Sequence, residues 1–213
     1  MARVGIFGGT FNPPHLGHLV CASEAMVALG LDRVMLMPLH TPPHKQADGD
    51  PGAEVRLGLC QLAVAGDDRL GVSDLEVARG GTSYTVDTLR ALDAVSPEDH
   101  LTLIVGGDVA LGLPFWREPE EVLRLASLAV AEREGVRRAD VLERLSDLEG
   151  SADRIEFFDM PRVDISSSLV RRRVAGRTSI RYLVPAAVDE EIERLGLYSE
   201  QELMNERRSE NGS

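Results

Sequence analysis

Cysteine is nearly absent. Cys21 and Cys60 are the only two in 213 residues, and they stand far apart. That excludes a disulfide framework, no Cys-x-x-Cys occurs, and a reducing compartment is the simple reading. Cys21 follows His18 by three residues, too few ligands for a metal site, so a buried structural thiol is the better reading. Long apolar runs are missing as well. Nothing approaches ~18 uninterrupted apolar residues, and residues 1–8 read as a short strand entering a glycine turn rather than as a signal peptide. The expectation is a cytoplasmic chain with no membrane partner. Basic charge is also in short supply: 23 Lys and Arg stand against 35 Asp and Glu, a formal net charge of -12. Proteins that bind a nucleic-acid backbone usually present a basic face, so no nucleic-acid partner is expected. A small anionic ligand needs only a few local cations and stays open. Repeats and low-complexity tracts are absent too. The expected organisation is one domain over 1–198 with a polar tail over 199–213. Assembly into a homo-oligomer is left open.

What is present alternates. With 43% hydrophobic residues the chain can build a sizeable core. Strand signals at 4–7, 33–38, 101–105, 128–131 and 154–158 are separated by helix-period segments at 16–29, 54–65, 118–125 and 137–148. Residues 70–77 read as extended, and Thr82 and Ser83 as caps of a helix running to about Leu92. Helices at 166–174 and 185–195 close the chain. This pattern predicts an α/β fold: a Rossmann-like, doubly wound, mostly parallel sheet with helices on both faces and a small C-terminal helical segment. The long loop at 39–53 is rich in Pro, Gly, His and Asp, the kind of loop that often serves function. Residues 8–18, 106–108 and 165–171 fall where strands end and helices begin, the edge at which open α/β sheets bind ligands.

The densest chemistry is Gly8-Gly9-Thr10-Phe11-Asn12-Pro13-Pro14-His15-Leu16-Gly17-His18. Gly8 and Gly9 read as a sharp turn that lets a ligand come close. The helix that follows offers free N–H groups and a positive dipole end to phosphate. His15 and His18 share a face of its first turn, and Gly17 leaves room for phosphates between them. Two imidazoles so placed can donate hydrogen bonds to phosphate oxygens. The chain has five histidines in all, and two of them flank one glycine at a helix start. Neither a Gly-Lys-Ser/Thr P-loop nor a Gly-x-Gly-x-x-Gly pattern is present, which excludes those two phosphate cradles. A second stretch, Ile165-Ser166-Ser167-Ser168-Leu169-Val170-Arg171, joins capping serines to an arginine whose planar fork suits a polyphosphate. Alone, it reads more readily as an ordinary capped helix with a basic surface stripe of Arg171, Arg172 and Arg173.

Together these stretches resemble the two motifs of the adenylyltransferase superfamily, whose His-x-Gly-His element is shared with class I aminoacyl-tRNA synthetases. Three more segments resemble the bacterial nicotinate-nucleotide adenylyltransferases: Pro42-Pro43-His44-Lys45, Gly81-Thr82-Ser83-Tyr84-Thr85-Val86-Asp87-Thr88-Leu89, and Gly106-Gly107-Asp108 followed by Trp116. The likeness spans 4–198. It implies an enzyme that transfers AMP from ATP to nicotinate mononucleotide, releasing pyrophosphate. Catalysis would fall on His15, His18 and Arg171. ATP would meet Gly8, Gly9, Thr10, Phe11, His15, His18, Gly106, Asp108, Ser166, Ser167 and Arg171. The mononucleotide would meet Thr10, Lys45, Ser83, Tyr84, Thr85 and Trp116. In that resemblance Lys45 holds the mononucleotide phosphate, and Trp116 stacks on the pyridine. The helix start around Tyr84 and Thr85 receives the nicotinate carboxylate, as a helix N-terminus favours a negative charge over a neutral amide.

Magnesium (Mg2+) would arrive with ATP, held mainly by phosphates and water. No metal site of the protein's own is implied. A phosphomonoester with a second pKa near ~6 is already ionised at neutral pH, so attack on the α-phosphorus needs no general base. Positioning and charge stabilisation carry the rate. This chain departs from the family at Asn12, where some members have Asp, and at Arg117, where an aromatic can follow the tryptophan. Arg133-Glu134-Gly135 stands where Arg-Pro-Gly is common. These departures bear on substrate discrimination and on the adenine site. Two alternatives remain: an enzyme of the same superfamily acting on nicotinamide mononucleotide or another phosphomonoester, and a nucleotide-binding regulatory module without turnover. The 39–53 loop is expected to act as a lid.

Overall fold

A computed structural model describes residues 1–42, 49–132 and 136–199. In chain order the elements are β1 (Arg3–Gly9), α1 (Leu16–Leu29), β2 (Arg33–Pro38), α2 (Ala53–Val64), β3 (Leu70–Val72), α3 (Leu75–Arg79), α4 (Thr85–Val95) and β4 (His100–Gly106). They continue with α5 (Gly107–Leu111), a 3-10 turn (Leu113–Phe115), α6 (Pro119–Leu125), β5 (Ala126–Glu132), α7 (Arg138–Leu145), α8 (Ser151–Arg154), β6 (Ile155–Asp159), α9 (Ser167–Ala175) and α10 (Ala186–Leu195).

The strands form one six-stranded sheet in the order β3-β2-β1-β4-β5-β6, and every neighbouring pair is parallel. Parallel strands are covered on both faces, so both alternating sets of side chains must be apolar. The central strands obey this. Val4, Ile6, Leu101, Leu103, Val105, Leu128 and Val130 pack on one face with Val86 and Leu89 of α4. Phe7, Val34, Leu36, Ile104, Ala129 and Ala131 pack on the other with Cys21, Ala22, Ala25 and Met26 of α1. Both cysteines are free and buried. Burial pushes the Cys60 thiol up to about 12, against a smaller opposing pull from the Arg56 charge. A third cluster joins Leu59 and Ala63 of α2 to Val170 of α9 and Val188 and Ile192 of α10, which fastens the C-terminal helices to the body.

The chain builds β1, β2 and β3 outward on one side and then crosses back to add β4 beside β1. Successive connections therefore leave the carboxyl ends of β1 and β4 in opposite directions and open a crevice between them, the usual ligand position in such sheets.

The predicted doubly wound architecture matches this sheet, and two local expectations are corrected. Residues 70–77 are not one extended run. The strand stops at Val72, and a short helix, α3, follows, with Glu76 and Val77 buried. Neither Thr82 nor Ser83 caps α4. The cap position is Tyr84 in extended conformation, and no side chain bonds the free N–H groups of that terminus. Among the described residues no helix is long and apolar enough to cross a membrane. Residues 200–213 of the expected tail lie outside the described residues.

Candidate active site

Gly8 and Gly9 are the last residues of β1, not a turn. The reversal comes later, at Phe11 in the left-handed region (φ 51°) and the cis Asn12–Pro13 bond. The absence of a side chain at Gly8 matters differently: a Cβ there would meet nothing within 4 Å, so the strand end faces open space at the crevice. At Gly9 a Cβ would stand 3.1 Å from the Phe11 ring, so this glycine admits the aromatic that closes the turn.

α1 then starts at Leu16, with His15 in the cap position. The backbone N–H of His15 donates to Nδ1 of His18 at 3.1 Å. The two imidazoles stack with centroids 3.7 Å apart, and the Phe11 ring meets His18 edge-on at 4.9 Å. His18 is thus wedged between two rings. With Nδ1 accepting, a neutral His18 carries its proton on Nε2, an assignment made from the hydrogen bond. His15 is buried behind it, at 5% exposure. Gly17 does not simply leave room for phosphate: a Cβ there would sit 3.1 Å from the His15 ring, so the glycine makes the histidine stack possible. One N–H expected to be free at this helix start is taken, because Leu16 donates to the Leu183 carbonyl at 2.9 Å.

The second motif docks onto the first. Ser166 caps α9, its side chain accepting from the Leu169 N–H. Ser167 Oγ donates to the Pro13 carbonyl at 2.8 Å. Arg171 Nη1 donates to the Asn12 carbonyl at 2.6 Å, and Nη2 lies 3.4 Å from Ser168 Oγ. The result is a cleft of about 320 Å³ lined by Thr10, Phe11, Asn12, His18, Ser167, Ser168 and Arg171. Beside it a larger cleft of about 600 Å³ runs from Glu132 past Met160 and Arg162 to Ser166. Of the expected ATP contacts, Thr10, Phe11, His18, Ser167 and Arg171 converge on the first cleft, and Ser166 lines the second. Gly106 and Asp108 stand at the end of β4, with Asp108 exposed in the first turn of α5.

The other expected set gathers at the start of α4. A bridge between Thr41 and Thr82 and the Ser83 N–H to the Thr41 carbonyl, 3.0 Å, hold this helix start against the segment leaving β2. It is therefore on the same edge of the sheet. Ser83 is buried, and its hydroxyl accepts the His40 N–H at 3.0 Å. Trp116 and Tyr84 are half-buried against the core face shared by β1 and β4. Lys45 and Arg133-Glu134-Gly135 lie outside the described residues, as do residues 43–48 of the expected lid.

Two groups that hold this region together have no signal in the sequence. Arg56 is wholly buried in α2. It donates to Asp50 at 2.8 Å and to the carbonyls of Thr10, Leu39 and His40 at 2.9, 2.7 and 2.9 Å. It therefore pins the turn after β1 to the segment leaving β2. Glu76, also buried, accepts from Thr88 Oγ1 at 2.5 Å. Burial raises its pKa, against weaker lowering by hydrogen bonds from Thr88 and Ser83 and by the Arg79 charge. Only the folded chain brings Arg56 to Thr10 and Glu76 to Thr88.

Around the first cleft stand three hydroxyls, one amide, an imidazole and a guanidinium beside the Phe11 ring. Such donors suit polyphosphate, and among the described residues no group of three or more His, Cys, Asp or Glu is placed to hold a metal ion. A model of the cytidylyltransferase-like family matches residues 6–173. A probable nicotinate-nucleotide adenylyltransferase of Trichlorobacter lovleyi is 42% identical over 210 residues, covering 92% of this chain and 99% of its own. One of Shouchella clausii is 39% identical over 200 residues, covering 94% and 98%. The nicotinic acid mononucleotide adenylyltransferase of Plasmodium falciparum, solved in complex with NaAD, superimposes with a TM-score of 0.76 at 16% identity, covering 93% of this chain and 98% of that one.

Proposed function

This chain belongs to the cytidylyltransferase-like family and, within it, to the nicotinate-nucleotide adenylyltransferases, and on that premise we propose how its residues carry the reaction. The enzyme transfers AMP from ATP to nicotinate mononucleotide, giving nicotinic acid adenine dinucleotide and pyrophosphate in the synthesis of NAD. ATP lies with its phosphates in the cleft between Thr10, His18, Ser167 and Arg171. The observation that carries this placement is the docking of the two motifs: Arg171 and Ser167 bond the carbonyls of Asn12 and Pro13, so both phosphate-binding segments face one space.

The mononucleotide phosphate is the nucleophile, ionised at neutral pH, and attacks the α-phosphorus in line as pyrophosphate leaves. The side chains move no proton. His18 offers Nε2–H to the phosphate oxygens as charge builds, held in place by the His15 N–H and by the flanking His15 and Phe11 rings. Arg171 adds a fixed positive fork one helical turn into α9. Such preorganised donors need no rearrangement at the moment of reaction. Mg2+ arrives with ATP, held mainly by phosphates and water, and would supply further charge neutralisation when bound. Tyr84 and Thr85 present the free N–H groups of α4 to the nicotinate carboxylate, Trp116 stacks on the pyridine, and Lys45 takes the mononucleotide phosphate. The domain spans 1–198.

The test is pyrophosphate release from ATP and Mg2+ with nicotinate mononucleotide, nicotinamide mononucleotide or phosphopantetheine supplied separately. Release with the nicotinate form, matched by equal dinucleotide, is expected. Preference for another acceptor would overturn the substrate, and no release with any would favour a binding module.

A further inference from the structure

Arg117 follows the half-buried Trp116 and is itself exposed. Its guanidinium carbon sits 5.0 Å from the centroid of the Tyr84 ring, so it lies over the residue that begins α4. Its Nη1 donates to Asp87 Oδ2 at 3.2 Å. Asp87 is the third residue of that helix and the acidic group of its first turn. A carboxylate at this place gains from the positive end of the helix dipole. A ligand carboxylate at the same helix start would draw on that same field and be repelled by Asp87.

The surrounding charges are closely matched. Asp87 also faces Arg90 at 4.0 Å. Arg90 in turn pairs with Glu118 at 2.6 Å and Glu121 at 3.4 Å, Glu118 lies 3.7 Å from Arg117, and Glu121 bonds Arg124 at 2.6 Å. Arg90 is thus shared among three carboxylates, and Arg117 is the cation that spans Asp87 and the Tyr84 ring. Without it, Asp87 keeps, among the described residues, only the more distant and already shared Arg90.

We propose that Arg117 determines specificity by neutralising Asp87 at the head of α4, which keeps that helix start receptive to a pyridine bearing a carboxylate rather than an amide. Arg117 acts through Asp87 and need not touch the substrate. This rests on the reading that the nicotinate carboxylate binds at Tyr84 and Thr85.

The measurement is kcat/KM for nicotinate and nicotinamide mononucleotide in the wild type, R117Q, D87N and R117Q/D87N, at low and at 0.5 M salt. For a unit charge several ångströms from the ligand in a partly exposed setting, the effect is about 5-fold. R117Q should lower the nicotinate-to-nicotinamide ratio by about that factor, mainly through a higher KM for the nicotinate form. R117Q/D87N should restore the ratio, and high salt should shrink the loss. All the substituted side chains are at least one-third exposed, so folding is not at stake. A wild type with no preference for the nicotinate form overturns the underlying reading. A wild type that prefers it, with an unchanged ratio in R117Q, overturns the role of Arg117. A fall in R117Q that D87N does not reverse overturns the mechanism through Asp87.

Discussion

His18 shows how much one side chain's position depends on its neighbours. Its ring is held by a backbone hydrogen bond and by contacts with the Phe7, Phe11 and His15 rings, so the direction of its remaining N–H is set before any ligand arrives. Losing one preorganised donor to a developing charge costs about 100-fold or more in turnover. His18→Ala should therefore lower kcat by about that factor with the fold unchanged by circular dichroism. An unaltered kcat in the folded variant would remove His18 from the chemistry. The pair His15 and His18 was legible from spacing alone, because three-residue separation at a helix start admits few geometries. The role of Gly17 was not: which ring fills the space above a glycine depends on a cap conformation that the sequence does not display. Arg56 and Glu76 were invisible for a related reason, since their partners stand up to 46 residues away.

At the scale of elements, the strand positions were readable because both faces of a parallel sheet must be apolar, and the runs at 33–38 and 101–105 have no other use. The stretch 70–77 misled because Leu70 and Val72 are spaced as in a strand, and so are Leu75 and Val77, but the three-residue step between the two pairs breaks that period: the chain leaves the sheet after Val72 and forms α3. Helix starts divided in the same way. Ser166 follows the local rule and caps α9, while at α4 the hydroxyl of Ser83 is drawn away by a residue 43 positions earlier. This contrast has a measurable side. Ser166→Ala should cost about 1 kcal/mol of stability in a denaturant titration, the usual worth of a capping side chain, with a larger effect on Arg171-dependent ATP affinity than on mononucleotide affinity. Equal weakening of both substrates would mean that the cap serves the fold and not the phosphate site.

For the whole molecule, the sheet order places β1 at the centre, and the last helices return to it. The doubly wound class was evident from the alternation of elements, but this return was not, because it rests on contacts between residues 12 and 171 and between residues 16 and 183. The same contacts matter while the protein is being made. All six strands lie before residue 160, whereas Ser167, Ser168 and Arg171, which form one wall of the cleft, come after them, so the residues that complete the cleft are the last to be made. The cleft is therefore complete only once α9 has been made and Arg171 reaches the Asn12 carbonyl. A chain truncated between β6 and α9, which also loses the cover over Leu59 and Ala63, should turn over nothing in the pyrophosphate assay, so premature termination there yields inert protein rather than uncontrolled dinucleotide synthesis.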